Sequence, residues 1–379
     1  MPDIPVAVTR RDHLYMIRIG SYLGDALRSV VEAALGASDH IVVADARVAA
    51  LHGLEAVFAA TPKWRHIEIE AGEWRKNAAD YIALCERLLA LGMDRQTVLV
   101  AIGGGVTGDL VGFAAATLLR GVRVVQIPTT LLAQMDSSVG GKTGVNMAGG
   151  KNLLGAFHQP DLVVVDPAFL RTLPEREYTA GLAETVKYGI LGDKDFFFRL
   201  LEDAGRLFTR DADALAAAIE RSCRLKAGII GEDELESGRR RLLNLGHTFG
   251  HAVEALAGCD GAILHGEAVS VGMAMAARFS EKQGHLHADG ADAIESGLAR
   301  LRLPRRLDDL AAVAGDAIVG ALRRRLTTDE LPEALGKDKK AAKRGLTLVL
   351  PFGIGDCRSV EGIPVAEAAA FMRDFAHCE

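Results

Sequence analysis

The sequence predicts an α/β N-terminal half with a parallel, Rossmann-like sheet, followed by a mostly α-helical C-terminal half. In the first half, short β-branched runs alternate with longer amphipathic stretches, as they do in a parallel sheet with crossover helices. After Pro174 strand-like runs almost disappear, and long segments rich in Ala, Leu, Glu and Arg follow. We therefore expect two domains, residues 1–174 and 175–379.

The individual elements can be placed in chain order. The predicted strands of the sheet fall at residues 41–44, 67–69, 98–102, 122–127 and 162–165. The clearest helical patterns of the second half run over residues 212–230 and 241–257. One late strand, at 346–350, follows a charged stretch at 337–344. Because no low-complexity linker separates the halves, we expect a tight interface between them.

The composition predicts a soluble globular protein that binds neither nucleic acid nor a membrane. The 379 residues are 49% hydrophobic, and the net charge is −6 with a pI near 6.0. Nucleic acids and anionic membranes select a clustered basic excess, which is absent here, whereas an anionic small molecule remains compatible. The N-terminus lacks the apolar region of a signal peptide. Five scattered cysteines without a CxxC pair favour a reducing cytoplasm.

A glycine-rich turn follows the strand predicted at 98–102. Gly103, Gly105 and Gly108 satisfy G-x-G-x-x-G, a pattern that lets the backbone approach a pyrophosphate at a helix N-terminus. A plain tight turn between strand and helix would explain the same residues. The best acidic partner for a ribose, Asp45, lies upstream of the glycines instead of downstream. A standard Rossmann dehydrogenase is therefore disfavoured.

Two lysines, Lys142 and Lys151, lie in a segment at 128–152 that is rich in glycine, hydroxyl and amide residues. Ammonium groups and free backbone donors together suit a loop that wraps an oxyanion. A solvated loop lysine is the common alternative for either residue taken singly. The density of glycines and hydroxyls around the pair favours anion binding.

A candidate metal site lies in the second half. His247 and His251 are four residues apart and would share a helical face, with His265 close behind and Glu184 available from an earlier helix. Core or surface histidines are the alternative explanation of one such pair. The segment lacks the Glu of H-E-x-x-H, which disfavours a metalloprotease. Imidazole and carboxylate ligands suit zinc or cobalt and leave a position open for substrate.

From about Asp45 to the last predicted strand, the chain resembles the 3-dehydroquinate synthases of the sugar phosphate cyclase superfamily. The resemblance rests on motifs in family order: GGGVTGDLVGFAA, RGVRVVQIPTTLLAQMDSSVGGKTGVN, GKNLLGAFHQP, GLAETVKYGI, DELESGRRRLLNLGHTFGHA, LHGEAV and DKK. It implies a homodimer with its active site in the cleft between two domains. It also implies a metal held by Glu184, His247 and His265, which assigns His251 to the substrate site.

The same resemblance implies the other site residues. The NAD site would comprise Asp45, Glu73, Lys76, Gly104, Gly105, Val106, Asp109, Thr129, Thr130, Lys151, Phe169 and Thr172. The substrate and catalytic set would comprise Arg120, Asp136, Lys142, Asn152, Lys187, Lys226, Glu236, Arg240, Asn244, His251 and one of Lys339 and Lys340. Arg120 would reach into the site of the neighbouring subunit.

The implied activity is NAD- and metal-dependent cyclisation of a phosphorylated seven-carbon sugar acid, in which the hydride is returned within each turnover. Such a substrate needs many cationic donors inside a protein of negative net charge, and the implied set contains both Arg and Lys. Three alternatives stay open: another sugar phosphate cyclase, a glycerol-dehydrogenase-like metal-dependent alcohol dehydrogenase, and a catalytically inactive ligand-binding paralogue. Intact segments at 140–143 and 244–251 favour the dehydroquinate synthase among the cyclases.

Overall fold

The computed structural model describes residues 13–36, 39–59, 64–258, 261–336 and 345–377 of the chain. Its first half is built on a six-stranded sheet in which every pairing is parallel, with the order β1-β8-β5-β4-β2-β3. The strands are β1 (Met16–Ile19), β2 (His40–Asp45), β3 (Trp64–Ile69), β4 (Val98–Gly103), β5 (Arg123–Pro128) and β8 (Leu162–Val165). The predicted fold class is confirmed, and the edge strand β1 is an addition that the sequence did not predict.

Helices cover both faces of this sheet, which explains why β2 and β4 have apolar residues on both faces. In β2 and β4, Val42 and Val100 pack into one hydrophobic cluster, whereas their neighbours Ile41 and Leu99 pack into another on the opposite face. The covering helices are α1 (Asp25–Leu35), α2 (Ala46–His52), α3 (Leu54–Ala59), α4 (Ala78–Ala90) and α5 (Gly105–Thr117).

The segment that carries Lys142 and Lys151 is a β-hairpin, so the predicted loop is wrong. Strand β6 (Lys142–Met147) pairs antiparallel with β7 (Gly150–Phe157). Glycine and small polar residues have low strand propensity, which hid the hairpin from a sequence analysis. The glycines are needed for close approach, since a Cβ on Gly155 would lie 2.2 Å from the Thr143 carbonyl oxygen.

The second half is helical, as predicted. Helix α6 begins directly after Pro174, and α9 closely matches the helix predicted at 212–230. The helices are α6 (Glu175–Gly192), α7 (Lys194–Glu202), α8 (Ala204–Phe208), α9 (Ala212–Glu232), α10 (His247–Ala257), α11 (His265–Lys282), α12 (Ala288–Arg300), α13 (Leu307–Ala314), α14 (Asp316–Leu326), α15 (Glu330–Leu335) and α16 (Val365–His377).

The helix predicted at 241–257 is wrong in its first part. Arg239–Asn244 forms a 3₁₀ turn, and α10 begins only at His247. The break occurs at Gly246, which has φ +78° and whose missing Cβ would lie 2.8 Å from the Val269 carbonyl oxygen. Only glycine tolerates both the left-handed backbone and the contact with α11.

The chain ends in a second hairpin, of which only one strand was predicted. Strand β9 (Leu346–Gly353) is mostly buried, whereas its antiparallel partner β10 (Asp356–Ile363) is mostly exposed and therefore carries a weak apolar pattern. The charged stretch at 337–344, which was predicted to precede the strand now seen as β9, lies outside the described residues.

One hydrophobic cluster crosses residue 174. It joins Leu131 and Val163 of the sheet half to Tyr178 and Leu182 of α6. The two halves therefore share a packed interior, which positions the carboxyl edge of the sheet against the helices. In the described part of the chain, no helix combines the length and the apolar character needed to cross a membrane.

Candidate active site

The glycine-rich turn lies at the carboxyl ends of three adjacent strands, β2, β4 and β5, which end at Asp45, Gly103 and Pro128. Open parallel sheets bind ligands at this edge. Gly104 is the N-cap of α5 and makes no side-chain capping bond, so the first amides of the helix remain available as donors. A Cβ on Gly104 would lie 2.9 Å from Thr130 Cγ2, so only glycine lets the turn pack this closely against Thr130.

The residues around this turn fit a bound dinucleotide. Thr129 is buried, and its Oγ1 has no hydrogen-bond partner among the described residues. Val106 lies in the first turn of α5, and the Thr130 Oγ1 accepts a 3.2 Å bond from the Ala133 amide. An unsatisfied buried hydroxyl beside free helix amides is what an added phosphate or sugar would complete.

Asp45 has a structural role as the N-cap of α2. Its Oδ1 accepts a 2.9 Å bond from the Arg47 amide and so caps α2. Near the other end of α2, His52 Nε2 lies 2.8 Å from the Thr172 Oγ1, and its ring packs edge-on against Phe169. Helix α2 thus connects three of the residues implied for the NAD site.

A second group of cofactor candidates lies between α5 and the hairpin. Buried Lys76 donates to both Asp109 and Asn152. The Glu73 carboxylate accepts a 2.7 Å bond from Asn146. Burial raises the pKa of Asp109, and the neighbouring Lys76 ammonium opposes this only in part. Asn152 belongs to the substrate set of the sequence analysis, and its φ of +55° is rare for a residue other than glycine.

The predicted metal ligands come together from three helices. Glu184 of α6 has its Oε1 3.8 Å from the Nε2 atoms of both His247 of α10 and His265 of α11. All three ligand atoms lie within 4.8 Å of one another. Glu184 Oε1 is buried without a hydrogen-bond partner in the described structure. An orphaned carboxylate oxygen facing two imidazole nitrogens fits a divalent cation.

Backbone contacts between the helices fix this geometry. A Cβ on Gly266 would lie 1.9 Å from the Ala180 carbonyl oxygen, where α11 crosses α6. A Cβ on Gly272 would lie 2.0 Å from the Gly246 carbonyl oxygen, where α11 meets the start of α10. These glycines let the three helices approach closely enough for their ligands to meet at one point.

His247 has the electronic state that a metal ligand needs. Its Nδ1–H donates to the Leu245 carbonyl at 3.1 Å, which leaves the Nε2 lone pair directed at the triad. Burial lowers the pKa of His247 well below its ordinary value, and the Lys187 ammonium adds to the effect. His251 lies on the same helical face, as its spacing predicted, but it is exposed, and its ring centre is 5.2 Å from that of His247.

Two buried lysines flank the triad. Lys187 of α6 pairs with Glu184, and Lys226 of α9 lies 2.8 Å from Asp136 Oδ1. Tyr188 donates to the same Asp136 carboxylate. Although burial opposes it, the Lys226 and Lys187 charges hold the pKa of Asp136 well below its ordinary value. Burial lowers the pKa of Lys226.

A third cationic group lies near Gly140. Lys142 is exposed and pairs with Glu236, whose other oxygen accepts a 2.7 Å bond from Asn244. Glu236 has φ +60°, a strained conformation of the kind found at functional sites. Arg240 is fully buried, and its Nη2 donates to the Gly140 carbonyl at 2.8 Å. Its Nε has no partner among the described residues, and burial lowers its pKa.

Arg120 is not brought to this site within one chain. It is exposed, has φ +68°, and follows the end of α5 that is remote from the glycine turn. The 13 residues of α5 separate the two ends by about 20 Å. Lys339 and Lys340 lie outside the described residues.

The sequence analysis missed two residues that contact the predicted set. Buried Glu254 lies near both Lys151 and His265, and its position three residues after His251 on the same helical face could have revealed it. Tyr188 contacts Asp136, but an aromatic residue in a buried helix gives no such signal. Lys151, implied for NAD, is in contact with Glu254, which connects the two halves.

Family models match most of the chain. A model of the 3-dehydroquinate synthase N-terminal region matches residues 66–180, and one of the 3-dehydroquinate synthase C-terminal region matches residues 181–341. The chain belongs to the 3-dehydroquinate synthase family. The 3-dehydroquinate synthase of Caulobacter vibrioides is 45% identical over 373 residues, which cover 97% of each chain. That of Bradyrhizobium diazoefficiens is 43% identical over 375 residues, 98% of this chain and 96% of the relative.

Solved structures of other enzymes have folds similar to that of this dehydroquinate synthase family member. A 2-epi-5-epi-valiolone synthase from Streptomyces hygroscopicus, solved with NAD⁺ and Zn²⁺, has a TM-score of 0.80 at 28% identity and covers 98% and 99% of the two chains. A 2-deoxy-scyllo-inosose synthase with carbaglucose-6-phosphate, NAD⁺ and Co²⁺ has a TM-score of 0.79 at 26% identity, over 96% and 98%. A structure described as a probable glycerol dehydrogenase from Sinorhizobium meliloti, at 18% identity and a TM-score of 0.60, shares the fold alone.

Proposed function

We propose that the chain converts 3-deoxy-D-arabino-heptulosonate 7-phosphate into 3-dehydroquinate and phosphate, using NAD and a divalent metal, zinc or cobalt. The observation that carries the proposal is the placement of two buried ammonium groups, Lys187 and Lys226, beside the Glu184, His247 and His265 triad. Family membership and relatives named 3-dehydroquinate synthase at 43–47% identity support it.

The charges of this group suit a substrate that carries both a phosphate and a carboxylate. Asp136 and Glu184 balance Lys187 and Lys226, so a divalent cation on the triad would make the group cationic by two charges. Lys142, which is exposed and pairs with Glu236, would add a further ammonium group for an anion. A neutral alcohol substrate would leave this positive charge unused.

Each part of the site has a role in the proposed reaction. When bound, NAD would take up and later return a hydride, and the metal would act as a Lewis acid on the substrate hydroxyls. The amides of α5 and the Thr129 hydroxyl would hold the dinucleotide. Lys187, Lys226 and Lys142 orient the anionic groups, so that ring opening and aldol closure occur in a fixed geometry. Exposed His251, next to the triad, can transfer a proton.

The main alternative function is that of another sugar phosphate cyclase. The valiolone and inosose synthases share the fold and were solved with NAD⁺ and a divalent metal. A direct test compares phosphate release from the seven-carbon acid with release from a sugar phosphate of equal length that lacks the carboxylate. Loss of one charge-assisted contact predicts a preference of about 10- to 100-fold in kcat/KM for the acid. Equal rates, or a preference for the sugar phosphate without the carboxylate, would contradict the proposed substrate.

We further propose a homodimer in which Arg120 completes the partner's site, because in one chain it lies on the opposite edge of the sheet. Arg120→Ala and His247→Ala are each expected to be inactive. Mixing them after partial unfolding should restore about 25% of the wild-type activity, since random pairing gives half heterodimers with one complete site each. No recovery, with mixed dimers verified by mass, would show that Arg120 does not act across subunits.

The proposed division into domains 1–174 and 175–379 places this site at their junction. A cytoplasmic location is also proposed. It is supported by Cys85, Cys223 and Cys357, which are free thiols.

A further inference from the structure

Glu254 is a buried carboxylate that contacts residues from different parts of the fold. It lies in α10, and its exposed fraction is only 3%. One oxygen, Oε1, is 2.9 Å from Lys151 Nζ of β7, and the other, Oε2, is 3.5 Å from His265 Nδ1 of α11. A buried carboxylate is costly unless it is paired, and both of these contacts stabilise its charge.

The contact with His265 constrains the state of that imidazole ring. Its two nitrogens face two different carboxylates, with Nδ1 toward Glu254 and Nε2 3.8 Å from Glu184 Oε1. A neutral imidazole carries one N–H, and a carboxylate facing Nδ1 favours the proton on that atom. The lone pair then lies on Nε2, where it is directed at Glu184 and His247. The opposite tautomer would place the Nδ1 lone pair against the Glu254 carboxylate.

We infer that Glu254 is the positioning residue of the metal centre: it orients His265 through Nδ1, while Lys151 balances its charge from the hairpin. The inference rests on the metal site of the proposed function. Glu254 also forms a second compact group with His251 and His265. The contact with Lys151 argues that this group supports the metal site and does not bind a second ion, because an ammonium group would lie beside that ion.

The variant that tests this role is Glu254→Gln, which keeps the size and removes the charge. Its matched control is Glu295→Gln, because Glu295 is also buried and ion-paired in the helical half, with Arg278 at 2.7 Å. The dissociation constants of Co²⁺ and Zn²⁺ are measured on the folded, metal-free proteins by chelator competition. The visible absorption of bound Co²⁺ reports the ligand geometry, and urea unfolding reports stability separately.

We expect one metal per wild-type chain, a dissociation constant about 10- to 100-fold higher in Glu254→Gln together with a changed Co²⁺ spectrum, and no change in Glu295→Gln. A Glu254→Gln protein that binds within threefold of wild type overturns the positioning role. Two ions per wild-type chain and one in the variant would make Glu254 a ligand instead, which also overturns it. If the wild type binds no metal, the proposed metal site itself fails.

If Glu254→Gln does not fold, Glu254→Asp serves the same purpose. It retains the charge near Lys151 but withdraws the oxygen from His265 Nδ1 by one methylene. We expect weaker metal binding with near-normal stability. A folded Glu254→Asp protein with wild-type metal affinity contradicts the inference.

Discussion

Lys226 Nζ lies 2.8 Å from Asp136 Oδ1 and donates a second 2.8 Å bond to the Asp136 carbonyl oxygen. This pair connects α9 to the π-helical turn Ala133–Ser137, which follows strand β5 in the chain. The side chains are only 7% and 23% exposed. A pair so little exposed to water is costly to break from one side.

Replacement of Lys226 by Met should therefore destabilise the fold as well as abolish activity. Removal of one partner of a buried ion pair costs about 3–5 kcal/mol, because the other charge is left uncompensated. Urea unfolding measures the change. The double variant Asp136→Asn with Lys226→Met should recover part of the loss.

The matched control is Lys282→Met, because Lys282 is half-exposed and lies 4.0 Å from Asp374. Its effect should stay below about 1 kcal/mol. If Lys226→Met were as mild as this control, the Asp136 pair would not be a buried structural contact.

Gly266→Ala should disrupt the metal site without changing a ligand. The added methyl group would lie 1.9 Å from the Ala180 carbonyl oxygen, so α11 must move away from α6. Overpacking of this kind costs about 1–3 kcal/mol or more, and the shift would separate His265 from Glu184. We expect lower thermal stability and weaker Co²⁺ binding. Gly228→Ala is the control, since nothing lies within 4 Å of its position in α9, and it should be neutral or stabilising.

The fold was largely predictable because its signals are local. The strands β2, β4 and β8 contain continuous apolar runs, β5 is apolar except at Arg123 and Gln126, and α9 has a clear helical period. Close backbone contacts gave no such signal. The break at Gly246 and the hairpin around Lys142 depend on contacts with distant segments, namely α11 and the partner strand, which local propensity does not describe.

The candidate site was predictable to a similar extent. The histidine spacing and the family motifs led to Glu184, His247 and His265, which the structure brings together. The side chains that contact these ligands were harder to predict. Glu254 acts through His265 and Lys151, whose proximity arises only when α10, α11 and β7 pack together.

His247 and His251 should differ in metal content although they share a helical face. His247→Ala removes one of three ligands from the triad and should lose the metal, with activity lost as a consequence. His251→Ala should keep its metal but lose about two to four decades in kcat, as expected of a proton-transfer group. Elemental analysis of the dialysed, folded proteins measures the metal content of each variant. A metal-free His251→Ala protein or a metal-replete His247→Ala protein would reverse the assignment.

Asp233 makes the stability of the loop before Arg240 depend on pH. Its carboxylate accepts bonds from the amides of Ser237, Gly238 and Arg240. Burial opposes the effect, but these bonds lower the pKa of Asp233 to about 2 from an ordinary value of 3.8. A lowered pKa contributes stability that is fully present above the unfolded value and is lost as pH falls through the folded value.

Asp233→Asn should therefore melt at a lower temperature than wild type at pH 7, and the difference should shrink as pH falls from 3.8 toward about 2. Calorimetry over this range measures it. Exposed Asp374→Asn should match wild type to within about one degree at every pH. A difference between Asp233→Asn and wild type that stays constant down to pH 2 would show that the hydrogen bonds do not depend on the charge.

The most direct test of the proposed activity counts phosphate and NADH in the same reaction. The purified protein is given the seven-carbon substrate, a divalent metal and NAD at a concentration far below that of the substrate. Because the hydride is returned in every turnover, phosphate release should reach one per substrate, with no lasting absorbance of NADH. NADH that accumulates in step with substrate consumption, or phosphate release that stops when the NAD is exhausted, would contradict the account.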